Sequence, residues 1–142
     1  MPLNLEIVTP ERLAFSGSVD GVQLPGSEGE LGVLPHHAPL IASLGAGELR
    51  IRHGGTEESF AVFGGFVQVM PDKVVVMAES ADLASEIDLE RANEARREAE
   101  RALSDGPHDG PDLAAARALL RRELVRIRVA ERRHHEGPRH HG

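Results

Sequence analysis

Eleven of the 15 glycines in this 142-residue chain lie at or before Gly65, and from about Asp82 glycine vanishes for more than twenty residues. Glycine is poorly suited to a helix interior and well suited to tight turns, so this distribution divides the chain into a turn-rich half and a helix-permissive half. In the first half the runs between glycines alternate apolar and polar residues, as half-buried strands do. "LNLEIV" puts Leu3, Leu5 and Ile7 on one face, and "LRIR" turns Leu49 and Ile51 inward with Arg50 and Arg52 outward. "FVQVMPDKVVVM" reads as a hairpin through Pro71-Asp72-Lys73. Roughly seven to ten short strands with no intervening helix predict an antiparallel sandwich or flattened barrel rather than a βαβ fold.

Beyond Asp82 alanine, glutamate, arginine and leucine dominate, all strong helix formers. Asp88 is placed to cap a first helix with a stripe of Leu89, Ala92, Ala95, Ala99 and Ala102. "DGPHDGP" at 105–111 breaks it, and Asp112 is placed to cap a second helix with a stripe of Leu113, Ala116, Leu120, Leu124 and Ile127. The expected fold class is therefore α+β: an N-terminal antiparallel β-sandwich over 1–84, a C-terminal antiparallel two-helix hairpin over 85–133, and an unfolded His-rich tail over 134–142. An alanine stripe buries only about 0.8 kcal/mol per methyl-sized group, so the hairpin is expected to be detachable.

The inventory excludes several functions. Without cysteine there is no disulfide, thiolate metal site or cysteine nucleophile. No GxxxxGK[ST], GxGxxG or GxSxG motif stands in the chain, so no catalytic residue is assigned and the chain is expected not to be an enzyme by itself. No apolar run approaches the ~20 residues that span a bilayer, and the start lacks the pattern of an export signal. The pairs His36-His37, His134-His135 and His140-His141 are adjacent in sequence and do not converge as built ligand sets do, so no metal is expected.

Charge is unevenly distributed. Residues 1–87 carry 4 basic and 12 acidic side chains, whereas 113–142 carry eight arginines and three glutamates. Arg117, Arg121, Arg122, Arg126, Arg128 and Arg132 crowd the second helix, as a solvated face or as a cationic surface for an acidic partner. Without interleaved aromatic residues, nucleic acid is a poor candidate for that partner. In "IDLERA" Asp88 and Arg91 share a face beside the exposed N–H groups of a helix start, which makes either a capped, salt-linked helix or a grip for phosphate completed by Arg122 and Arg126.

Three runs taken together, "FSGSVDGVQLPGSEGELGVLPHHAPL", "FAVFGGFVQVMPDKVVVMAESA" and "IDLERANEARREAERAL", resemble the ε subunit of bacterial F-type ATP synthases over residues 3–133. The resemblance implies a sandwich of about ten strands at the foot of the central stalk, followed by a helical hairpin. It implies a non-catalytic rotor subunit, bound to the γ subunit and touching the c-ring, that couples proton-driven ring rotation to the γ shaft. Glu30, Leu31 and His37 would then lie at the ring or stalk contact, with Leu31, Val33 and Leu34 also closing the end of the sandwich. Many relatives have glycine where this chain has His36, so the turn there is expected to differ.

The hairpin would act as a brake on ATP hydrolysis, permissive when folded on the sandwich and inhibitory when extended. Arg117, Arg121, Arg122, Arg126 and Arg128 would meet acidic residues of the catalytic β subunits within the α/β hexamer. No cofactor is required, but the I-D-x-x-R-A motif at Ile87, Asp88, Arg91 and Ala92, with Arg122 and Arg126, marks a candidate regulatory ATP site. Glu98 and Ala115 stand where the family pattern has further arginines, which weakens the phosphate grip. Attachment to the cytoplasmic face of the plasma membrane would come through the complex alone. The rival readings are a β-domain adaptor whose basic hairpin binds an acidic protein or RNA, and a nucleotide sensor independent of the stalk; neither accounts for the GSEGELG run.

Overall fold

The computed structural model describes residues 3–105 and 110–136, with side chains through Arg132. Its elements are β1 (Leu3–Val8), β2 (Leu13–Val19), β3 (Gly21–Gly26), β4 (Gly29–Val33), β5 (Leu40–Ser43), β6 (Gly47–His53), β7 (Thr56–Met70), β8 (Lys73–Leu83), a 3-10 turn (Ala84–Glu86), α1 (Leu89–Asp105) and α2 (Pro111–Glu136). The strands follow the order β2-β1-β8-β7-β6-β3-β4, with β5 pairing β7. All pairs are antiparallel except β1 with β8, and the two helices come last in the chain. Eight strands stand among the described residues where the resemblance implies about ten. One reason is that "TEESFAVFGGFVQVM" is a single strand of 15 residues.

The pair Gly64-Gly65 bends that strand and folds the sheet over on itself. Before it, β7 pairs β6 from Thr56 with His53 to Val62 with Gly47. After it, β7 pairs β5 from Phe66 with Ser43 to Val69 with Leu40. Both glycines have positive φ, 62° and 111°, and a Cβ on Gly65 would collide with the Met77 carbonyl oxygen. Bends of this kind let one strand serve both layers of a sandwich.

The alternation read from sequence holds: Leu3, Leu5, Ile7, Leu49 and Ile51 are wholly buried. The hairpin holds too, with Met70 opposite Lys73, so its turn is Pro71-Asp72 and Lys73 already belongs to β8. The main core cluster is drawn entirely from the sandwich, and no helix residue enters it. The fold of residues 3–83 therefore does not depend on the helices for its interior.

In α1 the Asp88 cap is formed: Oδ1 accepts from the Arg91 N–H at 3.2 Å and the Asp88 carbonyl from the Ala92 N–H at 2.9 Å. Ala92 and Ala99 are buried as expected, but Ala102 is exposed and Leu103 takes the last half-buried step. Asp112 is not the cap of α2; it lies in the first turn behind Pro111, and the Gly110 carbonyl accepts the Ala114 N–H at 3.3 Å. A proline at the first helical position forfeits no bond, because its missing N–H would have had no partner.

The α2 stripe also departs from expectation. Leu124 is 48% exposed, and the buried residue at that step is Glu123. The helix answers to two neighbours: Leu113, Ala116, Leu120 and Ile127 follow one stripe, while Val125 and Val129 turn toward Ala61, Phe63 and Ala84. It runs on to Glu136, so residues 134–136 of the expected unfolded tail are helical. The rest of that tail, and residues 106–109 of the breaker, lie outside the described residues.

Candidate functional site

Three surfaces gather the candidate residues. The first is the β4 edge and the loop after it. Glu30 on β4 is exposed and accepts from Gln23 Nε2 at 2.8 Å, with the Arg50 guanidinium 3.9 Å away. Leu31 is half-buried against the core and Val33 is buried, but Leu34 points outward at 57% exposure, so only two of the three expected residues close the sandwich. The backbone holds the loop: His36 donates its N–H to the Pro71 carbonyl at 2.7 Å. His36 has φ 68°, the left-handed conformation glycine favours, so the turn keeps that geometry with a histidine in it. His37 is half-buried, its Nδ1 lying 2.8 Å from the Ala38 carbonyl oxygen.

Beside this loop lies an apolar patch not anticipated from sequence. Phe66 and Met77 face each other across β7 and β8, exposed by 56% and 45%, and Ile41 on β5 is exposed by 71%. The signal was in the outward positions of "FVQVM" and "VVVMAE", where large apolar residues stand at places a solvated face would fill with polar ones.

A second surface is the corner where the hairpin meets the sandwich. Ile87, Asp88, Arg91, Ala92 and Arg126 line one cleft of about 390 Å³, together with Arg12, Asp82, Glu86 and Glu123. The six matched ATP residues do not all converge, because Arg122 is not on the cleft wall and its guanidinium lies over the Phe63 ring, 5.1 Å from the centroid, with the Arg126 guanidinium 6.0 Å from the same centroid. The cleft presents Arg12, Arg91 and Arg126 against Asp82, Glu86, Asp88 and Glu123, a balance that opposes a polyanion. Arg126 is also engaged: Nε donates to Asp82 Oδ2 at 3.0 Å, Nη2 lies 2.9 Å from the same oxygen, and Nη1 donates to Glu123 Oε2 at 3.0 Å. As built, these residues do not fit a nucleotide triphosphate.

The third surface is the arginine face of α2, which the fold splits. Arg117, Arg121 and Arg128 are exposed, with Leu124 among them. Arg122 and Arg126 are docked on the sandwich, and Arg132 donates to Glu48 Oε2 at 3.1 Å and approaches Glu57 at 3.7 Å. The five arginines expected to meet acidic subunits are thus not equivalent in this conformation.

Among the described residues no group of three or more His, Asp or Glu is arranged to hold a metal, and no helix is long and apolar enough to cross a membrane. Residues 2–84 match the beta-sandwich domain of the ATP synthase delta/epsilon chain, and residues 85–131 match its long alpha-helix domain. The ATP synthase epsilon chain of Dehalococcoides mccartyi (strain CBDB1) is 52% identical over 131 residues, covering 92% of this chain and 94% of that one. The epsilon chain of Syntrophobacter fumaroxidans is 47% identical over 130 residues, covering 92% and 96%. Among solved structures, a chain of the Euglena gracilis mitochondrial ATP synthase OSCP/F1/c-ring assembly is similar, with TM-score 0.67 and 25% identity over 92% of this chain and 78% of that one. A chain of the Tetrahymena thermophila central stalk and c-ring shares the fold, with TM-score 0.56 and 16% identity over 93% and 96%.

Proposed function

The chain belongs to the ATP synthase delta/epsilon family, and from that membership we propose that it is the epsilon subunit of a bacterial F-type ATP synthase, a non-catalytic part of the central stalk. The observation that carries this reading is the match of both family domains, in order, over residues 2–131. The stalk transmits torque between the c-ring and the catalytic head through the γ subunit. Residues 1–84 are the docking domain and 85–133 the regulatory one.

On this reading the Ile41, Phe66 and Met77 patch gives the sandwich a dry surface to set against γ, since apolar area removed from water stabilises an interface by about 25 cal/mol per Å². The exposed β4 edge with Glu30 and Leu31, and the His37 loop, face the polar ring loops. The hairpin is the brake on hydrolysis, with Arg117, Arg121 and Arg128 available to acidic β-subunit residues before it moves and Arg122 and Arg126 afterwards. The complex places the chain at the cytoplasmic face of the plasma membrane. Regulatory ATP has one supporting observation, the convergence of Ile87, Asp88, Arg91, Ala92 and Arg126 on one cleft, and it has the cleft's carboxylates against it. Calorimetric titration of the isolated chain with Mg-ATP reads this directly, saturable heat supporting the site and flat heat removing it.

The deciding experiment adds the full chain, or a version ending at Ala84, to the catalytic core of the same organism stripped of this subunit. Truncation at Ala84 leaves the main core cluster intact, because its last buried member is Ala81 and Leu83, packed against it, is retained. Both versions are expected to co-elute with the core, and only the full chain to slow ATP hydrolysis. Binding by neither would sink the stalk assignment, and binding by both without inhibition would remove the brake.

A further inference from the structure

Arg126 sits where the sandwich, the start of α1 and α2 meet, and all three of its nitrogens are engaged by the chain's own carboxylates. The two carboxylates differ in kind. Glu123 lies three residues away on the same helix and moves with Arg126, so their contact at 3.0 Å says nothing about docking. Its side chain is only 5% exposed, and a carboxylate so buried needs a cation beside it while α2 is docked. Asp82 is on β8. Its oxygen, held by both Nε and Nη2, is the polar tie between α2 and the sandwich at this corner.

Asp82 also stands on the wall of the cleft formed with Ile87, Asp88, Arg91 and Ala92. A phosphate entering there would meet an Arg126 guanidinium whose Nε and Nη2 are already held by Asp82 and whose Nη1 is held by Glu123. The remaining wall offers little compensation: Glu86, Asp88 and Glu123 repel an anion and Arg12 donates its Nη2 to the Ala81 carbonyl at 3.0 Å, which leaves the exposed Arg91 to oppose three carboxylates.

We propose that Asp82 is an internal counter-anion: it takes the place on Arg126 that a ligand phosphate would occupy, so the hairpin closes on the sandwich without a nucleotide. This rests on the hairpin being a movable element and goes beyond the brake reading by naming a polar contact that helps to hold it shut beside the Phe63 cluster and Arg132. Closure is then sensitive to ionic strength, because the Asp82 and Arg126 side chains remain 33% and 27% exposed and mobile ions reach them.

The test is hydrogen exchange in the full-length chain, following the α2 amides from Val125 to Val129, with the β1 and β8 amides as the reference for an intact sandwich. Wild type, Asp82→Asn and Asp82→Glu are compared at low salt, alone and with Mg-ATP or inorganic pyrophosphate. Wild-type protection is expected to be unchanged by either anion. Asp82→Asn is expected to lose about five- to tenfold of it and to recover it with pyrophosphate, whereas Asp82→Glu retains most of it. Wild-type protection that rises with ATP would overturn the proposal, as would an Asn variant that stays closed or one that opens and is rescued by neither anion. Because closure is read on the isolated chain, a failure here is distinct from a failure of the brake, which is read by hydrolysis in the complex.

Discussion

The Arg122 guanidinium lies 5.1 Å from the centroid of the Phe63 ring, and that ring is the largest member of the small cluster joining α2 to the sandwich. The other members are Ala61, Ala84, Val125 and Val129, with Ile87 packed against them, so Phe63 supplies the largest single share of the apolar contact. Phe63→Ala removes that area and the seat for Arg122 at once, at a cost of about 3–5 kcal/mol by analogy with buried aromatic truncations. Because Phe63 is outside the main core, the loss falls on docking. The expected outcome is fast exchange throughout α2 with the urea midpoint of the sandwich little changed; a single cooperative loss of both would refute the separation.

Gly65→Ala is expected to strike the sandwich itself. Gly65 has φ 111° and its Cβ would collide with backbone, the Met77 carbonyl, which cannot swing away as a side chain can. A loss above about 4 kcal/mol, or failure to fold, is expected from combined strain and collision. Gly32→Ala is the control, with nothing within 4 Å of its Cβ on an exposed position of β4. Urea unfolding of the pair checks both, and comparable losses would discard the corner as the reason for glycine.

His36→Gly should stabilise the chain. A non-glycine residue at φ 68° costs about 1–2 kcal/mol, and the extra freedom of glycine in the unfolded chain returns about 0.5–1 of that. A net gain near 0.5–1 kcal/mol, or a rise in Tm of about 2–4 °C, is expected. Differential scanning calorimetry decides, and a lower Tm would mean the His36 side chain contributes more than its backbone costs.

What was legible in the sequence follows from which interactions are local. Period-two alternation fixed the faces of β1 and β6 because a strand buried on one side has one register choice, and Leu3, Leu5, Ile7, Leu49 and Ile51 took it. The Asp88 cap was legible because its partner, the Arg91 N–H, is three residues away. The stripe of α2 was misread at Leu124 because a helix touching two bodies buries more than one face, and the second face, Val125 and Val129, is dictated by Phe63 more than sixty residues earlier. The candidate site divided along the same line. Ile87, Asp88, Arg91 and Ala92 are close in sequence and came together, and the Glu123 to Arg126 pair has helical i,i+3 spacing, but the sandwich carboxylates that engage Arg126 and Arg132 come from β8, β6 and β7, and no spacing announces such pairs.

Arg132→Ala tests the far end of the dock. Arg132 meets Glu48 on β6 and Glu57 on β7, and the Glu48 side chain is only 17% exposed, so removal leaves a largely buried carboxylate without that cation. A local loss of about 1–2 kcal/mol is expected. It should appear as faster exchange in α2 from Ile127 onward with Leu113–Leu120 unaffected. Uniform acceleration along the helix would show instead that the dock opens as one piece.

The exposed arginines separate braking from closure. Arg117, Arg121 and Arg128 project from α2 into solvent, so their replacement leaves the contacts that hold the hairpin on the sandwich in place. If they meet acidic residues of the catalytic subunits, the triple alanine variant keeps wild-type exchange in the isolated chain and still co-elutes with the catalytic core, while its inhibition weakens. Rim charges contribute about 0.2–1 kcal/mol each, so three together shift the inhibitory concentration by about three- to a hundredfold, with the larger effects at low salt. The measurement is ATP hydrolysis against added subunit at two ionic strengths. Salt should weaken the wild type toward the variant, since screening and substitution remove the same attraction. Inhibition by the variant equal to wild type at both salts would move the brake contact to another face, with Arg122, Arg126 and Leu119 the next residues to change.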